Sequence, residues 1–149
     1  MSNFHQLHYH LVWSTRHREP WLTTERETLA YGLLAGKAHA LGAFTHAING
    51  MPDHVHMVVR LPPKIAVAAF VYQLKGFSSY ELRATIGHFR WQRGYGAFTV
   101  SNRQLPYTIA YVRNQKHHHT QSTDIRHLEP SPDTNDRDRL KPSNNPNHV

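Results

Sequence analysis

The chain has 149 residues, 39% of them hydrophobic, with 17 Lys+Arg against 10 Asp+Glu, a formal charge of +7 and a pI near 10. That length suits one domain able to bury a core, and the absence of cysteine excludes both a secreted disulfide scaffold and a Cys-based zinc site. No apolar run approaches the roughly 20 residues of a membrane span, and the polar, His-rich stretch Met1 to His10 is unlike a signal peptide, so a cytoplasmic protein is expected.

His8 to Ser14 (HYHLVWS), aromatic and β-branched, predicts a first strand, ended by the charged segment Arg16 to Pro20. Thr24-Glu-Arg-Glu27 reads as a capping box, and Leu29, Leu33, Leu34, Ala38 and Leu41 recur at helical spacing until Gly42, predicting a helix from Thr24 to Leu41. Ala43 to Ile48 and His54 to Leu61 read as an antiparallel hairpin joined by the turn chemistry of Asn49-Gly-Met-Pro-Asp53. After Pro62-Pro63, residues Ile65, Val67, Phe70, Val71, Leu74, Phe77, Ser78 and Leu82 hold a second helical stripe, up to Gly87. Trp91 to Ser101 is a Gly-punctuated loop delivering a fourth strand, and Pro106 opens a third helix that runs to about His118. From Thr120 onward Pro, Asn, Asp and Ser leave too little apolar surface for a stable fold, so 1–119 is read as the domain and 120–149 as a polar, disordered tail.

The order β-α-β-β-α-β followed by α is the split β-α-β arrangement of an α+β, ferredoxin-like (RRM-like) domain: an antiparallel sheet with helices on one face and a C-terminal helix besides. Residues 1–119 hold 13 Lys/Arg and five Asp/Glu, so the excess positive charge belongs to the folded part. A polyanion such as nucleic acid is the partner this charge would attract; a solvated basic surface is the other reading.

Within the hairpin, His54-Val55-His56 alternates so that both imidazoles share one strand face, about 7 Å apart at Cα. Two imidazoles so placed can chelate a divalent metal, or can be hydrogen-bonded structural histidines. On the third helix Tyr111 and Gln115 are four residues apart and project from one face. A glutamine oxygen is a hard, neutral ligand suited to Mg²⁺ or Mn²⁺, and a tyrosine beside it can attack a phosphate; a packed tyrosine with a solvated glutamine is the plain alternative.

The stretches GMPDHVHMVVRLP, LKGFSSYELR, WQRGYGAFTVS and YVRNQKHHH resemble, in order and spacing, the small single-tyrosine HUH transposases of TnpA type, from about Tyr9 to His119. The resemblance implies a metal-dependent endonuclease and strand transferase acting on single-stranded DNA at insertion-sequence ends, with hairpins near those ends and a homodimeric enzyme. By position it implies His54 and His56 as metal ligands, Tyr111 as nucleophile and Gln115 as third ligand, with a 5′-phosphotyrosine intermediate. A domesticated relative that processes repeated palindromic elements would carry the same residues, and a non-catalytic nucleic-acid-binding module of the same fold would bind without cleaving.

Tyr107, one turn before Tyr111, is a rival nucleophile that motif position disfavours. His117, His118 and His119 are expected to meet helix-end carbonyls and phosphates rather than the metal. Lys75, Arg83, Arg90, Arg93 and Arg103 could contact phosphates, and Trp91 and Tyr95 could stack on unpaired bases, the usual combination for single strands. Asp53 either orients His54 or belongs to the turn.

Overall fold

The computed structural model describes residues 3–120; of the expected tail over 120–149, residues 121–149 lie outside the described residues, as do the side chains of His118, His119 and Thr120. Strand β1 (His8–Ser14) is followed by a short 3-10 turn (Arg16–Arg18), helix α1 (Thr24–Ala40), strands β2 (Phe44–Met51) and β3 (His54–Arg60), helix α2 (Val67–Leu82), strand β4 (Gly96–Val100) and helices α3 (Leu105–Arg113) and α4 (Gln115–Thr120). The sheet order is β2-β3-β1-β4 with every pair antiparallel, the ferredoxin-like topology expected from the element order.

Alternation along the two central strands sorts their side chains onto opposite faces. Leu11, Trp13, Val55, Met57 and Val59 join Ala30, Leu34 and Ala38 of α1 and Phe70, Val71 and Leu74 of α2 in the main core. The other face carries Val58 of β3 and Ala47 of β2, which pack with Tyr111 and Val112 of α3 in a second, smaller cluster. Helices α1 and α2 thus cover one face while α3 lies across the other, so β3 is buried on both sides.

Three local expectations are corrected. Helix α1 is capped at Thr23, whose carbonyl accepts the amides of Arg26 and Glu27 and whose side chain makes no capping bond; the Thr24 capping box does not form. Its buried stripe is Ala30, Leu34 and Ala38, and Leu29 is 44% exposed because the small alanines let α1 approach the sheet on the neighbouring face. The residues Asn49 to Met51 extend β2 rather than forming a turn, because they pair with His56, Val55 and His54; the reversal is confined to Pro52 and Asp53.

That tight hairpin fixes Gly50. A Cβ there would fall on the carbonyl oxygen of His54 and 2.9 Å from Val55 Cα, so no side chain fits without moving the strand that holds the histidines. Gly50→Ala is expected to destabilise the fold by roughly 1–3 kcal/mol, the usual range for overpacking, read as a lower urea midpoint.

Candidate active site

The face of the sheet opposite α1 and α2 is lined with imidazoles. His54 and His56 of β3 are 1% and 0% exposed, with ring centroids 5.1 Å apart. Each is held from behind. His54 Nδ1 lies 2.7 Å from Asp53 Oδ1 and 3.4 Å from Arg18 Nη2, and Arg18 Nε donates to Asp53 Oδ2 at 3.0 Å. His56 Nδ1 shares a hydrogen bond of 2.8 Å with His10 Nε2 of β1.

Arg18 reaches Asp53 because the chain bends sharply after β1. His17 and Arg18 both adopt φ near 54°, a left-handed conformation that costs roughly 1–2 kcal/mol for each non-glycine residue, while Thr15 closes the bend by donating its hydroxyl to Glu19 O at 2.6 Å and ties it to the hairpin by donating its amide to Asp53 O at 2.9 Å. Burial alone would raise the Asp53 carboxyl, but hydrogen bonding and charge from His54, together with Arg18, outweigh it and hold the carboxyl below its ordinary value.

Helix α3 brings Tyr111 onto this face. The ring is 3% exposed, with its centroid 6.1 Å from His56 and 6.2 Å from His10, both edge-on. The continuous helix expected to His118 is instead broken at Asn114, whose φ and ψ are −98° and 18°. The cause is on β2: Asn49 Nδ2 donates to the carbonyl of Arg113 at 2.9 Å, and Lys116 Nζ donates to Asn49 Oδ1 and Gly50 O, each at 2.9 Å, while pairing with Glu27 at 2.9 Å. Because Asn49 stands directly across from His56, the break pins the start of α4 beside the histidine strand.

Gln115, the first residue of α4, is fully buried, and among the described residues neither its Oε1 nor its Nε2 has a hydrogen-bond partner. A buried amide left this way costs on the order of 1–3 kcal/mol, an arrangement that fits an oxygen held in readiness for a cation. Among the described residues no three His, Cys, Asp or Glu side chains converge on a metal-sized point; an amide oxygen such as that of Gln115 is of a type able to join two imidazoles around a hard cation. With Nδ1 of both histidines engaged, coordination would use Nε2.

Residues 3–115 match the family described as "Transposase IS200 like". The chain belongs to this family. It is 28% identical over 119 residues to the ISDra2 transposase TnpA of Deinococcus radiodurans, covering 74% of this chain and 85% of that protein, and 28% identical over 100 residues to the transposase for insertion sequence element IS200 of Salmonella typhimurium, covering 62% and 66%. A crystal structure of a candidate transposase from Deinococcus radiodurans R1 superposes with a TM-score of 0.64 at 28% identity over 77% of this chain and 95% of that one. A REP-associated tyrosine transposase bound to a REP hairpin shares the fold, with a TM-score of 0.59 at 14% identity over 76% and 72%.

The remaining candidates separate into different places. Arg83, Arg90, Arg93 and Tyr95 line an open groove of about 850 Å³ along α2, on the side of the sheet away from Tyr111, together with the exposed rings of Tyr72 and Tyr80. Lys75 borders the same groove, but its ammonium donates to the carbonyls of Gln92 at 2.6 Å and Gly94 at 2.8 Å and thereby fixes the loop. Trp91 borders the groove too, but most of its ring is given to the core: it is 8% exposed, packs against Trp13 and Phe89, and donates Nε1 to Ser78 Oγ at 2.9 Å. Arg103 lies in the exposed turn before α3, Tyr107 is 65% exposed, and His117 is exposed. No described helix is long and apolar enough to cross a membrane.

Sequence reasoning missed His10, Arg18 and Asn49. The spacing of His8 and His10 repeats that of His54 and His56, which was a visible signal; the register that aims His10 at His56 was not.

Two outcomes are expected. Since the Asp53 carboxyl lies below its ordinary value of 3.8, its contribution to stability is complete above that pH and is lost as pH falls through the folded-state value. Asp53→Asn should therefore be less stable than the parent at neutral pH, with the gap narrowing below about pH 4, in urea melts across pH. Trp91→Ala should lower stability by roughly 3–5 kcal/mol as a core truncation, whereas Tyr95→Ala, 40% exposed in the parent, should leave the melting temperature almost unchanged.

Proposed function

We propose that this chain is a transposase that cleaves and rejoins single-stranded DNA at insertion-sequence ends, with Tyr111 as nucleophile and His54, His56 and Gln115 as ligands of Mg²⁺ or Mn²⁺. The observation that supports it most is the packing of the buried Tyr111 ring against His56 within one chain.

In this reading Tyr111 Oη forms a bond to the scissile phosphorus while the bond from phosphorus to the 3′ oxygen breaks. The products are a 5′-phosphotyrosine and a free 3′-hydroxyl, and the new ester retains the energy needed for rejoining. A phenol has an ordinary pKa of about 10, so its proton must leave to a base or to water as the bond forms. A bound divalent cation would polarise the phosphate and offset its developing charge. Chain residues do the rest: Asp53 and Arg18 hold His54, and Asn49 and Lys116 hold the segment carrying Gln115.

DNA is the proposed partner on charge grounds, with thirteen Lys/Arg against five Asp/Glu in residues 1–119. The REP hairpin seen with one structural relative suggests hairpin-bearing DNA as the form to try first. The groove of Arg83, Arg90, Arg93 and Tyr95 is the proposed surface for unpaired bases and phosphates flanking the reacting strand. A homodimer accords with the family resemblance, although one chain already brings Tyr111 to the histidines.

Incubation with labelled single-stranded element ends and Mn²⁺ should yield a protein–DNA adduct that survives denaturation and is lost with chelator. Tyr111→Phe should reduce the adduct to background while Tyr107→Phe retains it. Adduct formation by Tyr111→Phe, or insensitivity to chelator, would overturn the proposal.

A further inference from the structure

We propose that His10 is a positioning residue for metal binding: its Nε2 accepts the Nδ1 proton of His56 and so holds His56 in the one neutral tautomer that can present Nε2 to a cation. This inference rests on the reading of His54 and His56 as ligands, and concerns what makes one of them competent.

A neutral imidazole has one ring proton. If Nε2 is to offer its lone pair, the proton must sit on Nδ1, and in a buried site that N–H needs an acceptor. His10 Nε2 is 2.8 Å from His56 Nδ1, and the two rings, 1% and 0% exposed, stack at 28° with centroids 5.0 Å apart, so solvent does not compete for the contact. His10 approaches the back of His56, the edge away from Nε2, and spends its own Nε2 there. It therefore supports a ligand and is not itself one, consistent with the lack of any three-residue His, Cys, Asp or Glu cluster among the described residues.

The same requirement is met differently at His54, whose Nδ1 is 2.7 Å from Asp53 Oδ1. The histidine pair is thus backed by a carboxylate on one side and an imidazole on the other, both of the kind that fix ring orientation in metal sites. The sheet register explains why His10 alone is recruited from β1. His10 pairs with Val58, which puts it diagonal to His56, within reach of two rings. His8, two residues earlier on the same face, instead contacts His46 and Asn102, each at 3.1 Å, so the two H-x-H pairs do not merge into a four-histidine cage.

Two measurements on the full chain test this. The first is ¹⁵N-imidazole NMR of the metal-free protein: His56 should be in the Nδ1–H tautomer, and should shift toward Nε2–H in His10→Leu. The second is calorimetric titration with Mn²⁺. His10→Leu should weaken binding roughly 10–100-fold, while His10→Gln, whose Oε1 can accept the same proton, should stay within a few-fold of the parent, with thermal melts confirming that each variant is folded. Parental His56 in the Nε2–H form, Mn²⁺ binding unchanged in His10→Leu, or His10→Gln as weak as His10→Leu would overturn the proposal. Absence of Mn²⁺ binding by the parent would overturn the ligand reading instead, and the tautomer measurement would still decide the role of His10. Should His10→Leu fail to fold, the parental tautomer and His10→Gln remain decisive.

Discussion

The antiparallel register that sets Val12 opposite His56 and Ser14 opposite His54 decides which face every side chain of the two central strands takes. A shift of one residue would send both imidazoles into the apolar core beneath α1 and α2 and bring Val55 and Met57 out against Tyr111. The core prevents that slip. Leu11, Trp13, Val55, Met57 and Val59 are all buried on the α1/α2 side, so the hydrophobic face and the imidazole face specify each other. The aliphatic pattern that stabilises the sheet is therefore also what aligns the candidate ligands.

The second face has less apolar surface to bury and relies on polar fastening. Tyr111 and Val112 supply the packing, but the direction of the chain after them is set by Asn49, which bonds the carbonyl of Arg113, and by Lys116, which bonds Asn49, Gly50 and Glu27. These contacts link the helix break to residues facing His56 and Val55 on the same hairpin. Any displacement of the hairpin tip is consequently transmitted to both the histidines and Gln115. The site is held as a unit by short-range hydrogen bonds, and the large core lies on the other side of the sheet.

Much of this was legible in the sequence, because the fold is written in periodicities. The first strand at His8–Ser14 and the fourth at Gly96–Val100 follow from composition and glycine punctuation, and the element order alone leads to the observed sheet topology. Legibility failed where a residue's role depends on a distant strand. Asn49 to Met51 carry turn residues yet pair as strand, because cross-strand partners satisfy their backbone; the helix through Asn114 looks continuous until the Asn49 side chain takes a carbonyl from it. Trp91 shows the same limit: an aromatic in a glycine-rich, basic loop reads as a stacking residue, and only the burial of its ring against Trp13 and Phe89 reveals a core role. His10 was hidden for the converse reason, since a histidine in an apolar strand has no visible partner until the register is known.

The charge of the candidate ligand set connects the site to the rest of the chain. Two imidazoles and an amide are formally neutral, so they would leave a dication's charge undiminished toward a phosphate, which a set containing a carboxylate would not. The carboxylate bonded to the histidine pair, Asp53, contacts Nδ1 of His54 and is also paired with Arg18, so its charge is largely compensated there. Both histidines are thus oriented by groups whose negative charge is absent, as at His10, or paired with Arg18, as at Asp53, while Lys and Arg outnumber Asp and Glu in residues 1–119.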